Sequence, residues 1–439
     1  MRKYTPADLA AARLPFRSLT GDKTIRVACV GDSITAGMPQ SNYPAFLQEY
    51  LTELGKKDGY TYLVKNHGTG GAAVHHVIEP FGDLNWGWRT VIDDDNDGKA
   101  YFYYDDIAYR SAMEYTPDVT IIQFGTNDGP TGNLDKVDGY FKADYYEYLI
   151  KPFLDKGSFV VLATPPHAHN GIHDFGVNGK ISDLVREIAK ERDLPLIDIN
   201  EATEGRNDAF PDGLHGNDSG YSLLAQTYFA RVFGGERIMV TVKSAPGAMV
   251  SYGIHAGYTN ENGEVCFTLP AFEEGRKVAV RCVADGWKSV SGEATVTADA
   301  VYEFPLTERQ VDLAVGCKAV SDSEVDRNTA DKAVNGDRKT RWESAMKDDC
   351  SLTVDLGSKK RFNAVNICWE AAYASHYTVD VSDDGTTYRT VAEEHISRGG
   401  LAVTDFAETE ARFVRIHCIT RGTGWGNSIY ELQILTDKK

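Results

Sequence analysis

The sequence predicts a multidomain protein: an α/β domain built on a parallel sheet, followed by two all-β segments. Three observations carry this expectation. Over residues 1–234, short apolar runs alternate with helical patterns. At Gly234-Gly235 the pattern changes to short alternating runs separated by turn signals such as Asn262-Gly263 and Asp285-Gly286. From about residue 309 the chain is strand-rich again, with longer runs. A length of 439 residues suits about three domains of typical size, divided here as 1–234, 235–308 and 309–439.

In the first segment, a β-branched run at 25–30 stops at Gly31. Phe46, Leu47, Tyr50, Leu51 and Leu54 then recur at helical spacing, with Pro44 near the start and Gly55 at the expected stop. Further strand-like runs fall at 62–64, 119–124, 159–163 and 196–199. Helical patterns lie at about 141–156, 178–192 and 219–233, the last with Tyr221, Leu224 and Tyr228 on one face. Short buried strands alternating with helices predict a parallel sheet covered on both faces.

Four stretches at the ends of these elements carry chemistry. Gly31-Asp32-Ser33 follows the first strand, at the sheet edge where open α/β folds bind ligands. Alone, Ser33 reads more readily as a turn serine bonded to its own backbone. Asn66-His67-Gly68-Thr69-Gly70-Gly71 follows the second strand, and its glycines leave backbone N–H groups open to a developing negative charge. Gly125-Thr126-Asn127-Asp128 follows the third, where the Asn127 amide offers a donor at the same edge. Asp212-Gly213-Leu214-His215 precedes a helix that Asn217 or Asp218 would cap. An Asp and a His three apart on one loop suit a carboxylate that orients an imidazole.

Taken together, these four ordered blocks resemble the SGNH (GDSL) hydrolase family. The resemblance implies a flavodoxin-like sheet and no cofactor for catalysis. It implies Ser33 as nucleophile, His215 as general base and then acid, and Asp212 as the orienter. The implied oxyanion hole is the Ser33 N–H, the Gly71 N–H and the Asn127 side chain, with Gly70 as an alternative to Gly71.

Three other features of this segment have plainer readings. Asp93, Asp95, Asp97 and Gly98 match the first half of an EF-hand loop, but Tyr104 stands where the closing Glu would be, so a solvated acidic loop is expected. His167, His169 and His173 follow Pro165-Pro166 and are expected in a substrate loop rather than around a metal. Trp86, Trp88 and Tyr101 to Tyr104 either line a sugar subsite or pack an insertion onto the domain.

The middle segment reads as a small antiparallel β-sandwich, with strands at 238–242, 265–269, 278–283 and 294–297. Asn260 to Val265 and Ala284 to Trp287 resemble the immunoglobulin-like repeats of bacterial surface and glycan-active proteins, which implies a spacer. The third segment carries Ala333-Val334-Asn335-Gly336-Asp337, Thr340-Arg341-Trp342, Leu352 to Gly357, Tyr377 to Gly385, Ala411 to Ile416 and Gly426 to Leu432. It resembles the discoidin-type (factor V/VIII C-type) domain, the fold of carbohydrate-binding module family 32. That resemblance implies a galactose-binding-like β-sandwich jelly roll, often with one structural calcium. The matching calcium ligands are Asn335, Asp337, Thr340 and Glu431, with Asn335 where Asp is usual. Sugar contacts are expected from Glu370, Tyr373 and Trp425 on loops, and Trp342 is expected in the core.

Composition narrows the function further. Forty-six basic against 64 acidic residues give a net charge of −18, which argues against nucleic acid and anionic membrane as partners. No apolar run is long enough to span a bilayer. Residues 1–23 are polar and broken by Pro6 and Pro15, without the apolar core of a secretory signal. With seven cysteines and no Cys-x-x-Cys pair, free thiols and a cytoplasmic location are expected. A signal removed ahead of residue 1 would make the protein secreted instead. The expectation is a serine esterase that removes short acyl groups, above all acetyl, from an oligosaccharide or polysaccharide. A lipase- or thioesterase-like hydrolase of longer acyl chains and a non-catalytic glycan-binding adhesin are the alternatives.

Overall fold

The structure, a computed structural model, describes residues 21–37, 41–74, 107–128, 141–169, 175–370, 372–396 and 399–437. The acidic loop 93–98, Trp86, Trp88, Tyr101 to Tyr104 and His173 lie outside the described residues. The chain forms two compact units, Met1–Arg237 with Leu269–Phe272, and Ile238–Thr268 with Glu273–Lys439. No helix among the described residues is long and apolar enough to cross a membrane.

The first unit is an α/β domain. Its elements are β1 (Thr24–Gly31), α1 (Ser33–Ala36), α2 (Tyr43–Asp58), β2 (Thr61–Gly68), α3 (Ile107–Tyr115) and β3 (Val119–Gln123). A π-helical turn (Tyr145–Ile150) runs into α4 (Lys151–Asp155). Then follow β4 (Phe159–Ala163), α5 (Phe175–Arg192), β5 (Leu196–Ile197), α6 (Ile199–Thr203) and α7 (Asp218–Phe233). The five strands pair in the order β2-β1-β3-β4-β5, all parallel. Side chains along β1 alternate between two cores: Ile25, Val27 and Cys29 pack with α2 and α7, and Ala28 and Val30 pack with α3, the π-helical turn and α5. Both faces of the sheet are therefore covered, as the near-continuous apolar strands predict.

Boundaries differ from the sequence reading: β2 runs on through Asn66 and His67 to Gly68, and two other differences have a local cause. Helix α2 does not stop at Gly55 but runs one turn further, to Gly59 in the left-handed region (φ 76°), whose N–H bonds the Gly55 carbonyl. Gly55 serves another purpose: a Cβ there would meet the Tyr60 carbonyl oxygen at 2.4 Å. The strand read at 196–199 ends at Ile197, because the Asp198 side chain accepts from the Glu201 N–H and caps α6.

The second unit is all β. Its first strands are β6 (Arg237–Lys243), β7 (Met249–Tyr252), β8 (His255–Tyr258), β9 (Glu264–Pro270), β10 (Lys277–Val283), β11 (Trp287–Lys288), β12 (Val290–Thr295) and β13 (Ala300–Glu303). They give a four-stranded sheet, β12-β10-β7-β8, and a three-stranded one, β13-β6-β9. The β7–β8 hairpin escaped the sequence reading, although Gly253 with φ 61° opens its two-residue turn. β13 pairs with β6 in parallel, against the antiparallel expectation, because the chain changes sheets after β12.

The remaining strands are β14 (Thr307–Asp312), β15 (Lys318–Ser321), β16 (Trp342–Glu343), β17 (Cys350–Trp369), β18 (Ala374–Ser382), β19 (Arg389–His395), β20 (Leu401–Arg421) and β21 (Ser428–Asp437). The main path through their sheet is β11-β14-β21-β17-β20-β18-β19, with β15 on β17 and β16 on β21. Trp342 is fully buried in this core, as expected, and its Nε1–H donates to the Ser323 carbonyl at 3.1 Å.

Candidate active site

Strands β2, β1 and β3 end level with one another, since Gly31 is in register with Gly68 on one side and Gln123 on the other. The three motifs that follow them therefore emerge side by side at the carboxyl edge of the sheet. Gly31 is demanded by space: a Cβ would lie 2.0 Å from Thr35 Oγ1 and 2.6 Å from the Gln123 carbonyl oxygen. Asp32 is buried and caps α1, its Oδ1 accepting the Ile34 N–H at 2.9 Å. That cap fixes Ser33 as the first residue of a single helical turn, where its own N–H is one of the donors without an intrahelical partner.

The His215 Nε2 lies 3.0 Å from Ser33 Oγ, across 182 residues of chain, and His215 Nδ1 lies 2.7 Å from Asp212 Oδ2. The other Asp212 oxygen accepts the Leu214 and His215 N–H groups at 2.8 and 2.6 Å. This tight turn requires Gly213 in the left-handed region (φ 80°), and the Gly213 carbonyl accepts the His169 N–H at 3.0 Å. With the carboxylate accepting from Nδ1–H, Nε2 is left as the acceptor for the Ser33 hydroxyl.

The electrostatics follow from these contacts. For His215, burial favours the neutral ring, but the Asp212 hydrogen bond and charge, with a smaller share from Asp32, outweigh it and raise the pKa. Asp212 is also penalised by burial, yet His215 and the two backbone N–H groups hold its pKa below the ordinary carboxylate value. Asp32 behaves differently. Burial first, with the Asp128 charge adding, pushes it up to about 7 against the Ile34 N–H, Thr126 and His215.

The turn after β2 carries Gly71 with φ 75°. The turn after β3 grips it in two places. Asn127 Nδ2 donates to the Ala72 carbonyl at 2.9 Å, and Asp128 Oδ1 accepts the Val74 N–H at 2.9 Å. Asn127 keeps a second N–H, because a side-chain amide carries two. The sequence reading assigned no role to Asp128, whose side chain is fully buried. Its partner lies 54 residues away, and the only local signal was an acid directly after a buried strand and turn.

Of the two further histidines after β4, His169 meets the Asp212–His215 loop through its N–H bond to the Gly213 carbonyl. The His167 N–H donates to Thr203 Oγ1 at 2.8 Å, and burial is the main cause that lowers the His169 pKa.

The second unit presents the other expected residues. Ala372 and Tyr373 lie beside the segment 422–428, joined to it by Gly422 N–H to the Tyr373 carbonyl and Ser428 N–H to the Ala372 carbonyl. Trp425 is 51% exposed and Glu370 is partly buried, its Oε2 accepting the Ala372 N–H. Tyr373 is a correction: it is only 7% exposed, packed in the core beneath Gly422, where a Cβ would come within 2.3 Å of its ring. A ring so covered has no free face for a sugar. Asn335, Asp337 and Thr340 share one turn, with Asn335 Nδ2 donating to Thr340 Oγ1 and the Asp337 N–H to Asn335 Oδ1, both at 2.9 Å. Glu431 is 3% exposed, and neither carboxylate oxygen has a hydrogen-bond partner. Burial first and the Asp312 charge next push it up to about 7, with Arg338 and the nearby Gly336 N–H acting against them. Two orphaned, buried carboxylate oxygens beside a turn of oxygen donors fit a hard cation.

Residues 29–223 match the model of the GDSL-like Lipase/Acylhydrolase family, and residues 318–432 match the F5/8 type C domain. The chain is 27% identical over 238 residues to an acetylxylan esterase of Xylanibacter ruminicola, covering 48% of this chain and 44% of that protein. It is 25% identical over 227 residues to a multidomain esterase of Ruminococcus flavefaciens, covering 48% of this chain and 29% of the relative. The match thus spans less than half the length of either relative. Among solved structures, a chitosan-binding module from a Paenibacillus chitosanase/glucanase is 37% identical, covering 28% of this chain and 98% of the module, with a TM-score of 0.28. The chain therefore combines a GDSL-like lipase/acylhydrolase domain at residues 29–223 with a C-terminal F5/8 type C domain at residues 318–432.

Proposed function

We propose that this protein is a serine esterase that removes acetyl groups from a carbohydrate. The observation that carries the reading is the hydrogen-bonded chain Ser33 Oγ–His215 Nε2 and His215 Nδ1–Asp212 Oδ2, at 3.0 and 2.7 Å. In this reading Ser33 Oγ attacks the ester carbonyl carbon while His215 Nε2 takes its proton. The carbonyl oxygen becomes an oxyanion, stabilised by the Ser33 N–H, the Gly71 N–H and the free Asn127 amide N–H. His215 then returns the proton to the departing sugar hydroxyl, leaving acetyl-Ser33. Water, deprotonated by His215, attacks the acyl carbon. Acetate leaves and the proton goes back to Ser33 Oγ. Asp212 stays ionised throughout and holds the imidazole in the required tautomer.

The carbohydrate part of the reading is supported by the esterase relatives and by the F5/8 type C domain. Glu370 and Trp425 are the residues of that domain proposed to contact sugar. A structural calcium would be held there by Asn335, Asp337, Thr340 and Glu431, and would neutralise the buried Glu431 charge. The middle segment is proposed to act as an immunoglobulin-like spacer.

The test is acetate release from acetylated xylan and other acetylated glycans, with p-nitrophenyl acetate and octanoate in parallel. Wild-type protein should release acetate, favour the acetyl over the octanoyl ester, and lose activity on Ser33→Ala by on the order of 10⁴-fold or more. Equal or faster octanoate turnover would instead favour an acyl-chain hydrolase. No turnover of any ester would favour a glycan-binding protein without catalysis.

A further inference from the structure

The outer face of β18 and β19 carries chemistry that the esterase reading leaves unused. Along β18, Tyr377, Val379 and Val381 point into the core at 1%, 0% and 1% exposure. His376, Thr378 and Asp380 consequently lie on the opposite face. The antiparallel register sets His376 across from His395 and Thr378 across from Glu393. Directly opposed residues share a face, as do residues two apart on one strand. Two imidazoles and a carboxylate are thereby brought together at the edge of the sheet, where β19 is the last strand.

The side chains have met. The two imidazole rings stack with centroids 4.0 Å apart and planes inclined by 19°. Glu393 Oε1 lies 2.8 Å from His376 Nε2 and 3.8 Å from His395 Nε2. One ligand atom from each of the three residues falls within 4.8 Å of the others. The site opens to solvent, since the side chains of His376, Glu393 and His395 are 23%, 56% and 70% exposed.

We propose that His376, Glu393 and His395 form a surface site for a divalent transition ion of the zinc class. Two imidazole nitrogens and one carboxylate oxygen are a donor set that such ions take, with the fourth position left to water. Nitrogen donors disfavour calcium, which is bound through oxygen alone. Spacing agrees with the ion. Bonds of about 2.0–2.1 Å in a tetrahedral arrangement place ligand atoms roughly 3.3 Å apart, and the present 2.8 and 3.8 Å bracket that value. Rotation of the exposed His395 and Glu393 side chains closes the difference. A third imidazole, His417, stands across from Thr378 on the other side of β18, but it is bound to Asp349 at 2.7 Å and is not part of the set. A bound ion would tie β19 to β18 and leave one coordination position facing solvent.

The site uses neither His215 nor the all-oxygen donors around Glu431, so it can be tested by difference. The full chain is stripped with a chelator, dialysed against micromolar Zn²⁺ in the presence of excess Ca²⁺, and assayed for bound metal. Wild type should hold one equivalent of zinc more than His395→Ala, and Glu393→Gln should weaken that equivalent by roughly tenfold or more. Both substituted side chains are mostly exposed, so their melting temperatures without metal should match wild type. Zinc should raise the melting temperature of wild type more than that of either variant. Equal zinc uptake by wild type and His395→Ala would overturn the proposal, as would loss of the wild-type equivalent to calcium.

Discussion

Asp128 holds the backbone of Val74: its Oδ1 accepts the Val74 N–H at 2.9 Å, although 54 residues separate the two. Together with the Asn127 bond to the Ala72 carbonyl, this ties the turn after β3 to the turn after β2. The geometry of the proposed oxyanion hole therefore depends on a buried carboxylate that does not itself face the reacting atoms.

Replacing Asp128 by Ala should leave the Val74 N–H unpaired in a buried place, at a cost of about 1–3 kcal/mol. It should also lower kcat by roughly ten- to a hundredfold through displacement of the Gly71 turn, with KM little changed. Asp128→Asn retains an acceptor for the Val74 N–H and should recover most of both losses. Steady-state kinetics and thermal melts on the same preparations check this. An Asn variant as impaired as the Ala variant would mean that the charge, not the hydrogen bond, is what matters.

The pH dependence follows from the His215–Asp212 pair. His215 must be neutral to accept the Ser33 proton, and its pKa is raised from the ordinary 6.5. The acid limb of kcat/KM should therefore fall above pH 6.5. Asp212→Asn removes the larger of the contributions that raise the imidazole and leaves burial with the smaller Asp32 charge, so the limb should move to lower pH while the rate drops by about 10⁴-fold. For stability, the raised His215 contributes below 6.5, and this is lost as pH rises through its folded value. The lowered Asp212 contributes above 3.8, and this is lost as pH falls through its folded value. Melting curves of wild type and Asp212→Ala should thus differ most between pH 3.8 and 6.5.

Glu431 gives a prediction about metal. Neither of its buried oxygens has a hydrogen-bond partner, and its pKa is pushed up to about 7. Calcium at a hundred times its Kd would stabilise the second unit by about 2.7 kcal/mol. Chelation should therefore lower the melting temperature, and calcium should restore it in His395→Ala as fully as in wild type. Glu431→Gln removes the buried charge, so its metal-free melt should equal or exceed that of metal-free wild type, with little response to calcium. A wild-type melt indifferent to both chelator and calcium would remove the ion from this site.

Much of the first unit was legible because its signals are local. The runs at 25–30 and 119–124 are apolar on both faces, which only a doubly covered strand tolerates. Ser33, Asn127 and His215 follow or precede elements whose ends are marked by Gly31, Gly125 and Asn217. What stayed hidden depends on tertiary neighbours. Gly55 looks like a helix stop, but it is a close-approach glycine beneath Tyr60. Tyr373 is an aromatic residue at a strand end, and only the fold of Gly422 over its ring makes it core. The pairings of Asp128 with Val74 and of His376 with His395 need a register that no sequence window contains. The hairpin at Gly253 carries its signal in the turn residue alone, since its two strands have only four residues each, too few to show an alternation.

Asn127 offers the sharpest test of mechanism. Its side chain follows β3 on the same sheet edge as Ser33, and its amide donates but cannot act as a base. One N–H holds the Ala72 carbonyl at 2.9 Å. The other is proposed to meet the oxyanion. Donors aimed at developing charge act mainly in the transition state, so Asn127→Ala should lower kcat by on the order of a hundredfold or more while KM changes little. The lost bond to Ala72 alone would give the smaller kcat effect expected for Asp128→Ala, together with a lower melting temperature. The two roles separate in Asn127→Asp, which keeps the shape of the side chain but donates to neither partner when ionised. If the oxyanion role holds, kcat should fall for Asp at least as far as for Ala, because a negative charge would then face the oxyanion. If Asn127 serves only its turn, both variants should melt earlier and keep kcat within about tenfold of wild type in the folded fraction. That outcome would leave the Ser33 and Gly71 N–H groups as the whole of the proposed hole.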